Sequence, residues 1–136
     1  MSSWEMVQPA RLRVVDEEEL APRPQRPAYP TRITVRVDER IFFVRTDDVE
    51  WIEGSRNYAK IHVGQQVYRI RMSLRELAAR LDPDRFRRIH RSIIVNLDHV
   101  REVQPWFGGD YVALLRDRRQ LRVSRTFAPE LLRTLQ

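Results

Sequence analysis

The sequence predicts a mainly β domain of antiparallel strands, with one short mid-chain helix and one short C-terminal helix. Three observations lead there. From Thr31 onward, apolar and polar residues alternate with a period of two, as in half-buried strands. Turn-forming residues interrupt that pattern every few positions, at Asp38-Glu39, Gly54-Ser55-Arg56-Asn57, Gly64-Gln65, Gly108-Gly109-Asp110 and Asp117-Arg118. Helical spacing of apolar residues is confined to a mid-chain stretch and the C-terminus. Because the connections are short and local, neighbouring strands are expected to run antiparallel.

Taken in order, Ile33, Val35 and Val37 alternate with Thr34 and Arg36 as a first strand, and Ile41-Phe42-Phe43-Val44 returns after the turn at Asp38-Glu39. Thr46-Asp47-Asp48 suits a short helical turn, since Thr and Asp side chains accept from its free amide groups. Val49 to Glu53 is the next strand, broken by Gly54 to Asn57. Tyr58–Val63 and Val67–Ile70 form a hairpin about Gly64-Gln65. Ser73 caps the mid-chain helix, with Glu76 completing a capping box, and Leu74, Leu77, Ala78 and Leu81 share one face. Asp82-Pro83 ends it. Phe86, Ile89, Ile93 and Val95 mark a buried segment, with a strand from about Ile93. Val100 to Val103, Tyr111 to Leu115 and Leu121 to Val123 supply further strands. Ala128 to Leu135 is the last helix, closing the chain with Leu131, Leu132 and Leu135.

The chain has 136 residues, 42% of them hydrophobic, which is enough for one self-sufficient domain. Four prolines in nine positions (Pro22, Pro24, Pro27 and Pro30) favour extended backbone and forbid a helix or an inner strand. Residues 1–30 are therefore expected to form a flexible, Pro-rich N-terminal tail or linker, and residues 31–136 the folded domain. With no cysteine, disulfides and thiolate metal sites are excluded. Met1-Ser2-Ser3-Trp4-Glu5 lacks the pattern of a secretion signal, and no apolar run approaches bilayer length. A cytoplasmic location without membrane contact is expected.

Charge is distributed unevenly. Overall there are 25 Lys and Arg against 19 Asp and Glu, a net of +6. Residues 1–30 hold four arginines and five carboxylates, leaving 21 cations and 14 carboxylates, a net of +7, in residues 31–136. Such a balance points to a polyanionic partner.

Catalysis finds no support. His62, His90 and His99 lack the spacing that puts two metal ligands on one helix face, and no glycine-rich phosphate loop occurs. His90-Arg91-Ser92 offers a base and a hydroxyl, but neighbours in an extended chain point to opposite faces, so no His–Ser relay is expected. The helix start explains Asp47-Asp48. Neither an enzyme nor a cofactor is expected.

Polar residues on three loops are the stronger signal. In Ser55-Arg56-Asn57-Tyr58, Arg matches guanine bidentately, Asn matches adenine, and Ser or Tyr donates to phosphate. An ordinary turn in which Asn57 bonds its own backbone is the plainer alternative. Arg87, Arg88, Arg91, Ser92 and Asn96 flank the apolar run 93–95, either as contacts or as a solvated sheet edge. Ser124-Arg125 stands before the last helix, where a helix start attracts phosphate and Arg125 reaches a base edge; N-capping by Ser124 or Thr126 is the alternative.

Phe86-Arg87-Arg88-Ile89-His90-Arg91-Ser92-Ile93-Ile94-Val95-Asn96-Leu97 resembles the signature of the LytTR-type DNA-binding domains of bacterial response regulators in two-component systems. Asp48-Val49-Glu50-Trp51-Ile52-Glu53-Gly54 followed by Asn57-Tyr58, the serine-capped Ser73-Leu74-Arg75-Glu76-Leu77, and Val123-Ser124-Arg125 resemble three further family segments. Together they cover about residues 31–135. Ile93 stands where the family usually has an aromatic residue, and Gly54 where alanine is common. Thirty upstream residues cannot hold the family's receiver domain of some 120 residues, which implies a stand-alone member, a fragment, or control through an upstream signalling partner or kinase-linked regulator.

The resemblance implies an elongated, antiparallel, multi-sheet LytTR-like fold that inserts loops into successive major grooves of double-stranded DNA to regulate transcription. On this sequence, the turn near Asn57 and Lys60 and the turn bearing Ser124 and Arg125 would enter the grooves. Arg125 would be the main base reader and Asn57, or Arg56 beside Ser55, the second. Arg91, Ser92 and Asn96 would lie near phosphates, Asn96 as an anchor, while His90 would orient its loop from inside. A homodimer on promoter direct repeats about one helical turn apart is also implied. Two other functions fit the composition: a protein-interaction module that titrates a full-length regulator, and an RNA-binding module stacking bases on Tyr58, Trp106, Phe107 or Tyr111.

Overall fold

The computed structural model describes residues 28–135; Gln136 and residues 1–27, most of the expected Pro-rich tail, lie outside the described residues. Strands β1 (Arg32–Val37) and β2 (Arg40–Arg45) pair as an antiparallel hairpin, turning at Asp38 with a positive φ of 56°. Aspartate is among the few residues that tolerate that region. Five strands form the central sheet: β3 (Trp51–Gly54), β4 (Ala59–Val63), β5 (Gln66–Ile70), β6 (Phe86–His90) and β7 (Ile93–Asn96). Their spatial order is β5-β4-β3-β7-β6, and every pair is antiparallel. A third sheet runs β8 (Val100–Pro105), β9 (Tyr111–Leu115), β10 (Gln120–Val123). Helices α1 (Leu74–Arg80) and α2 (Ala128–Thr134) complete a mainly β architecture.

The central sheet separates two cores because its strands alternate. In register, Ile52 faces Ile94 and Trp51 faces Val95. The Ile52 and Ile94 side joins Val35, Val44, Leu74, Leu77 and Phe86 beneath the β1–β2 hairpin and α1. On the opposite side, Trp51 and Val95 join Ile89, Ala113, Leu115, Val123 and Leu131 beneath the three-stranded sheet and α2. His62 stacks flat on Trp51, with ring centroids 3.9 Å apart, and the Arg119 guanidinium lies 5.5 Å from the Trp51 ring. Such stacked and cation–π contacts add to the area buried between the layers.

Local signals behave mostly as their chemistry dictates. The Ser73 hydroxyl accepts from the Glu76 amide at 3.1 Å, and the Glu76 carboxylate accepts from the Ser73 amide, so the capping box forms. Two segments differ from expectation. The buried segment from Phe86 is two strands, β6 and β7, folded at Arg91-Ser92, a turn with no Gly, Pro or Asn to announce it. The 3-10 turn Thr46–Asp48 does form, but no side chain caps its start. Asp47 instead bonds Arg85 and Arg45, and Thr46 is buried with its amide on the Thr31 carbonyl.

Gly54 closes β3 where α1 approaches. A Cβ built there would lie 2.2 Å from Leu74 Cγ, so the packing of Leu74 excludes a side chain at this position. This accounts for glycine where the resembled family commonly has alanine.

Candidate nucleic-acid interface

Strand pairing brings three turns to one end of the central sheet. In β3–β4 the register ends at Gly54 opposite Ala59, and in β3–β7 it ends at Glu53 opposite Ile93. The turn after β3 and the turn before β7 therefore sit side by side. The Gly54 amide donates to the Ser92 carbonyl at 2.8 Å, tying them together. Within the first turn the Ser55 amide donates to the Tyr58 carbonyl, leaving Ser55, Arg56 and Asn57 exposed. The third turn, between β10 and α2, is tied to the same edge: the Ser124 amide donates to the Ile89 carbonyl at 2.8 Å.

The Arg91-Ser92 turn is stiffened from within. Arg88 Nη2 donates to the Arg91 carbonyl at 2.6 Å, which leaves the Arg91 side chain exposed. His90 Nδ1 lies 2.9 Å from Ser92 Oγ and accepts from the Ser92 amide at 3.1 Å. This overturns the expectation that the two side chains diverge. Residues two apart return to the same face, and the tight turn closes the remaining gap. Accepting at Nδ1 puts the ring proton on Nε2. Burial, followed by the positive charges of Arg122 and Arg91, holds the imidazole pKa below its usual 6.5, so His90 is neutral at pH 7. It braces the turn as an acceptor.

The Arg125 turn is held by a residue that sequence reading passed over as part of a turn. Asp110 is buried to 5% exposure. Its carboxylate accepts from Arg122 Nη2 at 2.7 Å and from the Arg125 amide at 2.8 Å. The Arg122 hydrogen bond, then the Arg125 amide, holds its pKa below the ordinary aspartate value. Asp110 also closes its own loop, donating its amide to the Phe107 carbonyl and accepting from the Trp106 amide. Gly109, with φ of 89°, lies against Arg125: a Cβ there would be 3.6 Å from Arg125 Cβ. Arg125 Nε also lies 3.7 Å from Asp110 Oδ1, and with its backbone so fixed the Arg125 side chain remains 71% exposed. Capping by Ser124 or Thr126 side chains does not occur; the Ser124 carbonyl accepts from the Phe127 and Ala128 amides.

One expected contact is corrected. Asn96 has no exposed surface. Its amide Nδ2 donates to the Val49 carbonyl at 2.8 Å, and its Oδ1 accepts from the Asp98 amide at 3.0 Å. With both ends of the carboxamide occupied, it joins β7 to the entry of β3 and is no phosphate anchor. The remaining site residues divide. Ser92 and Ser124 are half-buried, and Lys60 is exposed on β4 beside Glu53 rather than in the turn itself. Among the aromatic residues considered for stacking, Tyr58 already carries Arg69 at 4.1 Å and Tyr111 packs on the second core, whereas Trp106 and Phe107 are exposed. No group of side chains suited to hold a metal ion occurs among the described residues, and no helix there is long and apolar enough to cross a membrane.

The LytTr DNA-binding domain family profile matches residues 39–136. The chain is 30% identical over 104 residues to the sensory transduction protein LytT of Bacillus subtilis, covering 76% of this chain and 43% of that protein. It is 34% identical over 80 residues to the transcriptional regulatory protein YpdB of Escherichia coli K12, covering 59% of this chain and 33% of that protein. With LytR of Staphylococcus aureus N315 the identity is 32% over 99 residues, covering 73% and 40%. The chain thus spans less than half the length of these relatives. A solved LytTr DNA-binding domain of a Bacillus cereus response regulator superposes with a TM-score of 0.71 at 22% identity, over 78% of this chain and 97% of that one, and shares the fold. By profile, sequence and fold together, the chain belongs to the LytTR DNA-binding domain family.

Proposed function

We propose that this chain binds double-stranded DNA in a sequence-specific manner and regulates transcription, presenting the turns at 55–57, 91–92 and 124–125 to successive major grooves. The observation that carries this reading is the tying of three cation-bearing turns to one sheet end, through the Gly54–Ser92 and Ser124–Ile89 backbone bonds. Arg125 reads a base edge, because an exposed guanidinium on a fixed backbone suits bidentate contact with guanine. Arg56 or Asn57 reads a second base. Arg91, Lys60, Ser55, Ser92 and Ser124 contribute phosphate contacts, which set affinity and register but carry no sequence information.

One such module buries roughly 600–1,000 Å², so two copies on direct repeats about one helical turn apart supply the affinity of a working regulator. The protein acts in the cytoplasm, where its DNA is. Gel shifts with duplex DNA, single-stranded DNA and structured RNA test the reading. Preferential retention of one duplex sequence, with log affinity falling by about 0.9 per phosphate contact for each unit of log salt, is expected. Equal retention of RNA, or salt-insensitive binding, would refute it.

A further inference from the structure

On the side of the molecule that joins β1, β5 and α1, a groove of about 950 Å³ is lined by five arginines and no carboxylate. Arg32 and Arg36 come from β1, Arg69 and Arg71 from β5 and the residue beyond its end, and Arg80 from α1. Among the described residues none of the five pairs with an acidic group; Arg69 and Arg71 lie over the Tyr58 ring, at 4.1 and 5.9 Å. Ile33, Val67, Tyr68 and Met72 add apolar surface to the same lining, and Val67 is 52% exposed. A groove with a cationic rim and apolar lining suits a short acidic peptide with an apolar side chain. Duplex DNA satisfies the rim but leaves the apolar surface uncovered.

We propose that the occupant is the chain's own segment Asp16-Glu17-Glu18-Glu19-Leu20. Four successive carboxylates match the arginine rim, and Leu20 matches the apolar lining. Pro30 lines the groove and, with Tyr29, also a smaller adjoining cavity beside Thr46, Asp82 and Arg85, so the chain enters the described domain at the groove's edge. Nine residues separate Leu20 from Pro30, so the reach between them is at most about 35 Å. A tether of this length makes the encounter intramolecular, at an effective concentration on the order of millimolar. Neutralising a rim of like charges is the physical gain, because uncompensated arginines repel one another.

The chain has no cysteine, so Val15→Cys gives a single attachment point for a spin label. In the 136-residue chain without DNA, the label is expected to broaden the backbone amide resonances of Arg36, Arg69 and Arg71. Broadening should disappear when Asp16→Asn, Glu17→Gln, Glu18→Gln and Glu19→Gln are combined in the labelled chain, and equally in labelled Arg69→Gln/Arg71→Gln with an unchanged melting temperature. Broadening spread evenly over the surface, or unmoved by neutralising the carboxylates, would overturn the proposal. So would broadening that appears only when labelled and isotope-enriched chains are mixed, which would assign the groove to a second copy. No DNA is present, so the outcome is independent of the DNA-binding reading.

Discussion

The buried carboxylate of Asp110 accepts a hydrogen bond from the backbone amide of Arg125 at 2.8 Å, while the Arg125 side chain stays 71% exposed. The same carboxylate lies 3.7 Å from Arg125 Nε, so Asp110 fixes where the side chain starts and pairs with its near end while most of the side chain stays exposed.

Replacing Asp110 with alanine therefore frees the Arg125 turn and leaves Arg122 without its carboxylate. Specific DNA affinity is expected to fall by about tenfold, the lower part of the range for one Arg–guanine contact of about 1–3 kcal/mol. Affinity for random duplex should change little. Fluorescence-anisotropy titrations of both duplexes measure the ratio. Because the Asp110 pKa is lowered from 3.8, its stabilising contribution is fully present above that value and lost as pH falls through the lower folded value. Neutral-pH binding should thus be insensitive to this group's titration.

Asn96 leads to the opposite expectation. Asn96→Ala removes a buried carboxamide that bonds the Val49 carbonyl and the Asp98 amide, stranding both partners. A loss of about 1–3 kcal/mol in unfolding free energy is expected from denaturant titration. The ratio of specific to random DNA affinity and the salt slope should remain those of the parent protein. A shallower salt slope with unchanged stability would restore it as a phosphate contact.

Gly54→Ala tests the approach of α1 to β3. The new methyl would fall on Leu74, at the distance of 2.2 Å from Cγ, inside a packed core. Overpacking of this kind costs about 1–3 kcal/mol. Combining it with Leu74→Ala should cost less than the sum of the two single changes, because the second removes the atoms that clash. Thermal unfolding of the four proteins reads out the cycle.

Two histidines are expected to contribute to the loss of stability just below neutral pH. Burial is the main cause holding both His62 and His90 below 6.5, with Arg119 adding to it at His62 and Arg122 at His90. The unfolded chain binds these protons first, so stability is lost as pH falls below 6.5 and continues to fall until the folded histidines titrate. Melting temperature should drop as pH is lowered from about 7.5 to about 5.5, and His90→Gln should flatten that drop. An equally steep drop in both His90→Gln and His62→Gln would exclude these groups as its cause.

Period-two alternation made most strands legible, and Ser73 with Glu76 announced α1, because those signals are local. The division of Phe86 to Asn96 into two strands was not legible. Its turn is held by Arg88 on the Arg91 carbonyl and by His90 on Ser92, contacts that need the folded turn to exist. For the same reason Asn96, a polar residue beside an apolar run, reads as exposed until β3 arrives beside it and supplies the Val49 carbonyl. Arg125 stood out as a cation before a helix, whereas Asp110 looked like turn chemistry and nothing more. Its partners lie 12 and 15 residues away in sequence, beyond the reach of any spacing rule.

The most direct test of the account is the sequence preference of Arg125→Ala. Duplexes selected by the parent protein from a random pool supply the specific site, and affinities for that site and for random duplex are measured at one salt concentration. The ratio between them is expected to collapse in the variant, by about 1–3 kcal/mol, while random-duplex affinity falls only by the loss of one charge. An unchanged ratio would contradict it.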